Sequence, residues 1–220
     1  MRGWDDRQAF RGDRGLKRYH ITGIFGEAEN GKTTYMISDL NHQADSGQFY
    51  DEIYCNLRSA CKTKIKFIDY RGLVNFRGKT ENGVARSLIG LDQMHKYLDA
   101  RQSNSIKNIL TTQVFIESRQ HGFDSDYTTW MKSAVDKRVR PFTNLYVLAQ
   151  RGPRGFEYDR IDKESSSEDL VIMPWPAAQD LWRRFDSTEL IEDPTIDEVI
   201  AEEYKKRNEM KAAGRRRELL

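Results

Sequence analysis

Residues 26–34 read Gly26-Glu27-Ala28-Glu29-Asn30-Gly31-Lys32-Thr33-Thr34 (GEAENGKTT). Glycine, four residues, then Gly31-Lys32-Thr33 is the P-loop spacing. Gly26 and Gly31 let the backbone curl so that successive N–H groups face inward and form a concave anion site. Lys32 adds a cation that reaches terminal phosphates. The Thr33 hydroxyl stands where it would ligate a magnesium ion bridging them, and a helix starting here adds its positive dipole end. The stretch Gly26–Thr34 is therefore read as a cradle for a nucleotide's phosphates, with Mg2+ expected beside them.

Four fixed positions at average composition arise by accident in roughly one chain in a hundred of this length, so the flanks decide. Tyr19–Phe25 (YHITGIF) reads as a short buried strand. Lys32–Ser46 places Tyr35, Met36, Ile37 and Leu40 at helical spacing with Gly47 as a stop. Strand, glycine loop and helix is the setting the chemistry needs.

The 220 residues suffice for one α/β domain with tails. Charged residues make up 32%, hydrophobic ones 38%, and mean hydropathy is −0.78. No apolar run approaches the ~18 residues of a membrane span, and the polar, basic N-terminus is unlike a signal peptide, so no membrane and a cytosolic setting are expected. The net charge of +2 makes no global field for nucleic acid, so any DNA contact must be local. Cys55 and Cys61 have no second pair, and His20, His42, His95 and His121 show no ligand spacing. Reduced thiols are expected, and no zinc site.

Outward from the loop, residues 1–18 carry six Arg/Lys against three Asp. They read as a basic mobile arm that touches a phosphate backbone or is simply a solvated terminus. Asp51–Leu57 and Lys64–Ile68 read as strands, Tyr70–Phe76 as helix or loop, and Arg77–Arg86 as a polar loop. Ser87–Leu91 (SLIGL) is an apolar strand ending in Asp92. A carboxylate at such a strand end suits magnesium and water chemistry, so Asp92 is the candidate Walker B acid, expected to position the metal from the strand next to the loop strand; a plain turn aspartate is the alternative. Ser105–Arg119 reads as a packing helix closed by Gly122. Phe123–Trp130 reads as a strand, next to that of Asp92, whose Thr128 and Thr129 face a γ-phosphate or are structural.

Asp136–Arg140 (DKRVR) precedes Pro141, which disfavours helix at Arg140. An extended segment would put Arg138 and Arg140 on one side. They read as an arginine finger in a ring of subunits, as a DNA contact, or as partners of surface carboxylates. Asn144–Ala149 is a further buried strand, Gly155–Lys163 and Asp169–Met173 a hairpin, and Pro176–Phe185 a short helix. From Thr195 a charged helix carries a narrow stripe of Ile196, Val199, Ile200 and Tyr204, and Arg215–Arg217 is a solvated end or a nucleic-acid contact. No internal repeat is found.

The ordered string GEAENGKTT, SLIGLDQMHKYLDARQSNS, SRQHG, YTT, DKRVR and FDSTELI resembles the genome-packaging ATPases of archaeal viruses in the FtsK-HerA lineage. It is also similar to the ATPase domain of zonula-occludens-toxin-like phage assembly proteins, over about residues 19–192, with 193–220 left as a charged helix and tail. The resemblance implies an α/β fold: a RecA-like P-loop NTPase core of the ASCE type with a mostly parallel sheet, a C-terminal β-hairpin and a charged helix. It implies a homo-oligomeric ring, pentamer or hexamer, that hydrolyses ATP to thread double-stranded DNA into a preformed capsid. Partners are then DNA and a capsid protein, and the setting is the host cytoplasm and, transiently, the capsid vertex. Carried over, Lys32 and Thr33 are the phosphate and magnesium residues, Asp92 the Walker B acid and Arg138 or Arg140 the trans arginine. The LDAR stretch, Asp99 and Arg101, also matches.

Two positions depart from the family. Gln93 stands where a Glu usually activates water, and an amide orients water without accepting its proton, so Glu27 or Glu29 is a substitute base. Trp130 replaces a strand-end Gln and leaves Thr129 as the polar candidate. Two other readings stay open: a small-molecule P-loop kinase, and a nucleotide-gated assembly factor with slow hydrolysis. A membrane segment usually follows the ATPase domain in the phage-export proteins, and its lack here favours packaging.

Overall fold

Ile21–Phe25 forms β1, with every residue buried, as a central strand of a parallel sheet requires. The structure is a computed structural model that describes residues 20–61, 64–81, 84–102, 104–186, 189, 191 and 193–218, without the side chains of 119 and 211–218. The basic arm 1–18, the side chains of Arg215–Arg217 and residues 187, 188 and 190 of FDSTELI lie outside the described residues.

Helix α1 (Lys32–Ser46) follows the loop and ends at Gly47, whose φ of 58° and N–H to the Gln43 carbonyl make the expected stop. Then come β2 (Glu52–Cys55), β3 (Ile65–Phe67) and α2 (Tyr70–Val74), capped by the Asp69 side chain. The stretch read as a polar loop carries a small hairpin, β4 (Thr80–Glu81) with β5 (Val84–Ala85). After β6 (Ser87–Leu91), the helix read as one piece to Arg119 breaks at Glu117 into α3 (Ile106–Ile116) and α4 (Ser118–His121), closed by Gly122 at φ 70°. Next are β7 (Phe123–Thr129), β8 (Leu145–Arg151), β9 (Gly155–Asp162), β10 (Ser167–Pro174), α5 (Trp175–Trp182) and α6 (Thr195–Glu218).

The eight-stranded sheet runs β10-β9-β8-β1-β7-β6-β2-β3. Six strands, β8 to β3, are parallel, and β9 and β10 add antiparallel to the β8 edge. This is the mostly parallel α/β sheet with a C-terminal hairpin that the sequence predicts. Period-2 alternation divides the core. Ile24, Leu88 and Val147 meet α1 and α5 on one face; Ile21, Phe25, Ile89 and Leu91 meet α2 and α3 on the other.

Two expectations change. Asp92 is not on the strand beside the loop strand, because β7 lies between β1 and β6. And Asp136–Arg140 is not extended: residues 137–139 form a turn and Arg140–Phe142 a 3-10 helix with Pro141 inside it. Proline tolerates the first turn of a helix, where its missing N–H has no partner to lose.

The first turns of α6 dock on their own domain. Val199 is buried, Asp193 accepts the Tyr70 backbone N–H and Arg71 pairs with Glu198 and Glu202, while Tyr204 is exposed. Among the described residues no helix is long and apolar enough to cross a membrane.

Candidate nucleotide-binding site

The parallel register gathers the C-terminal ends of β1, β6 and β7 at one edge. Phe25 stands opposite Thr129 and Leu91 opposite Tyr127, so Gly26 and Asp92 leave the sheet side by side with Thr128 between their strands. In open α/β sheets this is the edge where ligands bind. The loop there depends on its glycines. Gly26 (φ 153°) lies against the Ala149 carbonyl, and Gly31 (φ 82°) lies under the Phe156 ring, where a Cβ would come within 2.5 Å of ring carbon. Glu29 also takes a positive φ of 63°. The Lys32 ammonium donates to the Glu27 carbonyl at 2.5 Å and draws the curl closed. Burial lowers its pKa, a shift that the Asp92 charge partly opposes. Glu27, Ala28 and Glu29 are exposed on the outside of the loop, with Asn30 half-buried.

Asp92 is 4% exposed and sits at the centre of a small network. Its Oδ1 accepts from the Thr33 hydroxyl at 2.8 Å and from the Thr128 hydroxyl at 2.6 Å. The Thr128 oxygen in turn accepts from the Gln93 backbone N–H at 3.0 Å. Asn56, at the end of β2, clamps the Asp92 backbone: its Oδ1 accepts from the Asp92 N–H at 2.8 Å and its Nδ2 donates to the Asp92 carbonyl at 3.0 Å. These bonds explain a strained residue. Gln93 adopts φ 54°, ψ 49°, a region that disfavours a non-glycine residue, and persists there because Asn56 and Thr128 fix the backbone around it. Among the described residues no Lys or Arg lies within ion-pair distance of Asp92.

Of the two threonines, Thr128 reaches the acid. Thr129, the residue the sequence favours, is 1% exposed with its hydroxyl unpartnered, because successive strand residues face opposite sides of the sheet. Among the described residues the hydrogen bonds of the Arg138 and Arg140 side chains go to their own segment. The Arg138 Nε and Nη2 donate to the two Asp136 oxygens at 2.9 and 2.8 Å, and the Arg140 guanidinium donates to the carbonyls of Val135 and Ser133, both at 2.8 Å. Gln93's side-chain amide makes no hydrogen bond among the described residues. Asp99 is anchored by Asn108, and the Arg101 guanidinium lies 5.9 Å from the Trp130 ring in a cleft of about 320 Å3 that His95 also lines.

Several residues of the site escape sequence reasoning. Asn56 is one asparagine in a strand-end stretch. His95 feels the Asp92 and Lys32 charges and is held below its ordinary pKa chiefly by burial. On the β9 side, Tyr158 donates to the Gly31 carbonyl at 3.1 Å and the Trp182 indole N–H to the Thr34 hydroxyl at 3.0 Å. Their only sequence signal is aromatic residues in a strand and a short helix, which reads as ordinary core. A second cavity, of about 450 Å3, lies beside the loop, lined by Phe25, Gly26, Glu27, Asn30 and β8 residues to Arg151.

Over about three quarters of the chain the architecture has solved counterparts. The N-terminal domain of zonular occludens toxin from Neisseria meningitidis superposes with a TM-score of 0.53 at 15% identity, over 76% of this chain and 99% of that one. The genome packaging NTPase B204 from Sulfolobus turreted icosahedral virus 2 does so with sulfate bound (TM-score 0.53, 10% identity, 72% and 98% covered) and with ATP-gammaS bound (0.52, 11%, 72% and 98%). This chain has the fold of the P-loop packaging NTPases. Both solved structures are of the kinds of protein that the motif string resembles. No family model and no curated protein matches the sequence.

Proposed function

We propose that the protein is a magnesium-dependent ATPase that acts as a ring, pentamer or hexamer, and threads double-stranded DNA into a preformed capsid. One observation carries the nucleotide part: the hydroxyl of Thr33, in the first turn of α1 after β1, and the carboxylate of Asp92, just past β6, meet at 2.8 Å although β7 lies between those two strands. A buried carboxylate beside a hydroxyl is a hard-oxygen donor set that fits magnesium. Thr33 would hold the ion directly and Asp92 would position it, and the ion supplies charge neutralisation on the phosphates. The inward amides of Gly26–Thr33 and the Lys32 ammonium bind the phosphates. The part-buried Lys32 has already shed some of its hydration, which strengthens its pull on an anion. Thr128 and Asn56 hold Asp92 in one orientation.

Gln93 orients water through its amide, and the proton must go to another group. Of the two loop carboxylates, Glu27 lines the cavity beside the loop, whereas Glu29 does not. A trans role for Arg138 requires release from Asp136, and for Arg140 the loss of two carbonyl bonds. The DNA and capsid parts of the reading are supported by the motif order and by the shared fold with a genome packaging NTPase. Gln93 also favours a second reading, a nucleotide-gated assembly factor that binds ATP and turns it over slowly.

ATP turnover of wild type and Lys32→Ala, each with and without duplex DNA, tests the proposal. Wild-type turnover stimulated by DNA and reduced on the order of a hundredfold or more in Lys32→Ala is expected. Absence of both turnover and nucleotide binding would end the reading. Tight binding with little turnover, raised by Gln93→Glu, selects the second.

A further inference from the structure

The loop has an aromatic side whose chemistry the phosphate site does not use. Thr34, in the first turn of α1, is 3% exposed, and its hydroxyl oxygen accepts the Trp182 indole N–H at 3.0 Å. It makes no other side-chain hydrogen bond among the described residues, so its own O–H remains available to donate. Trp182 closes α5 and is held from behind. Phe156, which covers Gly31, packs edge-on against it with ring centroids 5.9 Å apart, and against Trp175 at 5.0 Å. Yet Trp182 is 37% exposed, an unusual allowance for an indole fixed at both its nitrogen and its edge. A part-exposed indole, held by a hydrogen bond and a ring contact, thus stands beside the first turn of the phosphate-binding helix.

Besides the cavity on the β8 side that Glu27 lines, which the reading above gives to the reacting end, phosphates held by Gly26–Thr33 leave the rest of a nucleotide two directions. Towards β6 and β7 the surface is polar and closed, with Asp92, Thr128 and Asn56 all buried and mutually bonded. Towards α5 it is aromatic. The geometry points to Trp182 as the platform on which the base of a nucleoside triphosphate stacks, while its N–H sets the Thr34 hydroxyl as a donor to the phosphate chain. No hydrogen-bond reader of the base is implied; stacking tolerates any base and favours the larger purines. This rests on the nucleotide-binding reading above and adds the base subsite to it.

The test is equilibrium binding, by calorimetry with magnesium, of ATP, UTP and inorganic tripolyphosphate to the full chain. Base stacking on an aromatic side chain corresponds to about five- to a hundredfold in affinity. Trp182→Ala is expected to weaken ATP by that factor, UTP by less, and tripolyphosphate by no more than about twofold. Trp182→Phe keeps a stacking face and loses the donor, so it should weaken ATP and tripolyphosphate alike, and only slightly. Equal losses of ATP and tripolyphosphate in Trp182→Ala, or no loss of either, overturn the inference and leave the phosphate site standing. Wild type that binds neither ligand overturns both. Should Trp182→Ala fail to fold, tryptophan emission decides: ATP, and not tripolyphosphate, must quench the part of the signal that is missing in Trp182→Phe.

Discussion

The two flanks of the phosphate loop are built from opposite chemistry. On the β6–β7 flank, Asp92, Thr128, Asn56 and the Gln93 backbone form a chain of short hydrogen bonds in which each polar group is satisfied by another. On the β9–α5 flank, Phe156, Tyr158, Trp175 and Trp182 form an aromatic wall that meets the loop through ring surface and two donors, to the Gly31 carbonyl and the Thr34 hydroxyl. The polar flank has directional parts, so removing one leaves a buried partner unsatisfied. The aromatic flank shapes the loop by occupying space, and depends on what the loop does not carry. Function is therefore sensitive to lost atoms on one flank and to added atoms on the other.

An added atom tests the aromatic flank hardest. Gly31→Ala requires a left-handed conformation, which costs an L-residue about 1–2 kcal/mol, and drives a methyl into the Phe156 ring. The expected result is loss of nucleotide affinity on the order of a hundredfold. Since each kcal/mol shifts melting by about 2–4 °C at this size, a fall of several degrees should accompany it. Adding Phe156→Leu should return part of the affinity by relieving the clash, with the backbone penalty left in place. Full rescue would mean that sterics alone set this flank; no rescue would mean that the wall does not shape the loop.

A lost atom tests the polar flank. Thr128→Val keeps shape and removes the hydroxyl that donates to Asp92 and accepts from Gln93. A buried group left unsatisfied costs about 1–3 kcal/mol, and Asp92 is freed to turn. Turnover is expected to drop about tenfold with ATP affinity little changed, measured as kcat against KM. The same change at Thr129, whose hydroxyl has no partner, should be close to neutral, which makes the pair an internal control.

The same asymmetry explains what was legible in the sequence. GEAENGKTT and SLIGLD mark a candidate site because a phosphate cradle admits only glycine, lysine and a hydroxyl at those offsets, and the parallel sheet follows from apolar runs between helical ones. Spacing along the chain does not report strand order, so Asp92 was expected beside β1 when β7 intervenes, and Thr129 was preferred to Thr128, one residue and one sheet face away. Asn56 and Trp182 were invisible for a related reason. Their partners lie 36 and 148 positions off, and neither residue type is unusual where it stands. Arg138 and Arg140 mislead because Pro141 disfavours a helical backbone at its neighbour without forbidding it, and a proline in the first turn of a 3-10 helix loses no hydrogen bond.

That segment offers the smallest effect and separates it from both flanks. The Asp136 side chain is fully buried, and hydrogen bonding from Arg138 holds its carboxyl below the ordinary value. A depressed carboxylate pKa gives stability that is fully present above the unfolded-state value near 3.9 and is lost as pH falls through the lower folded value. Arg138's side chain is 37% exposed, so solvent screening reduces the pair's worth to about 1 kcal/mol. Asp136→Asn should therefore melt about 2–4 °C below wild type at pH 7, with the gap closing below about pH 4 as wild type loses its charge. A gap that persists at pH 3 would assign the loss to packing around a buried amide. No gap at pH 7 would mean that the pair contributes nothing at equilibrium, and its loss would then not oppose a move of Arg138 to a neighbouring subunit.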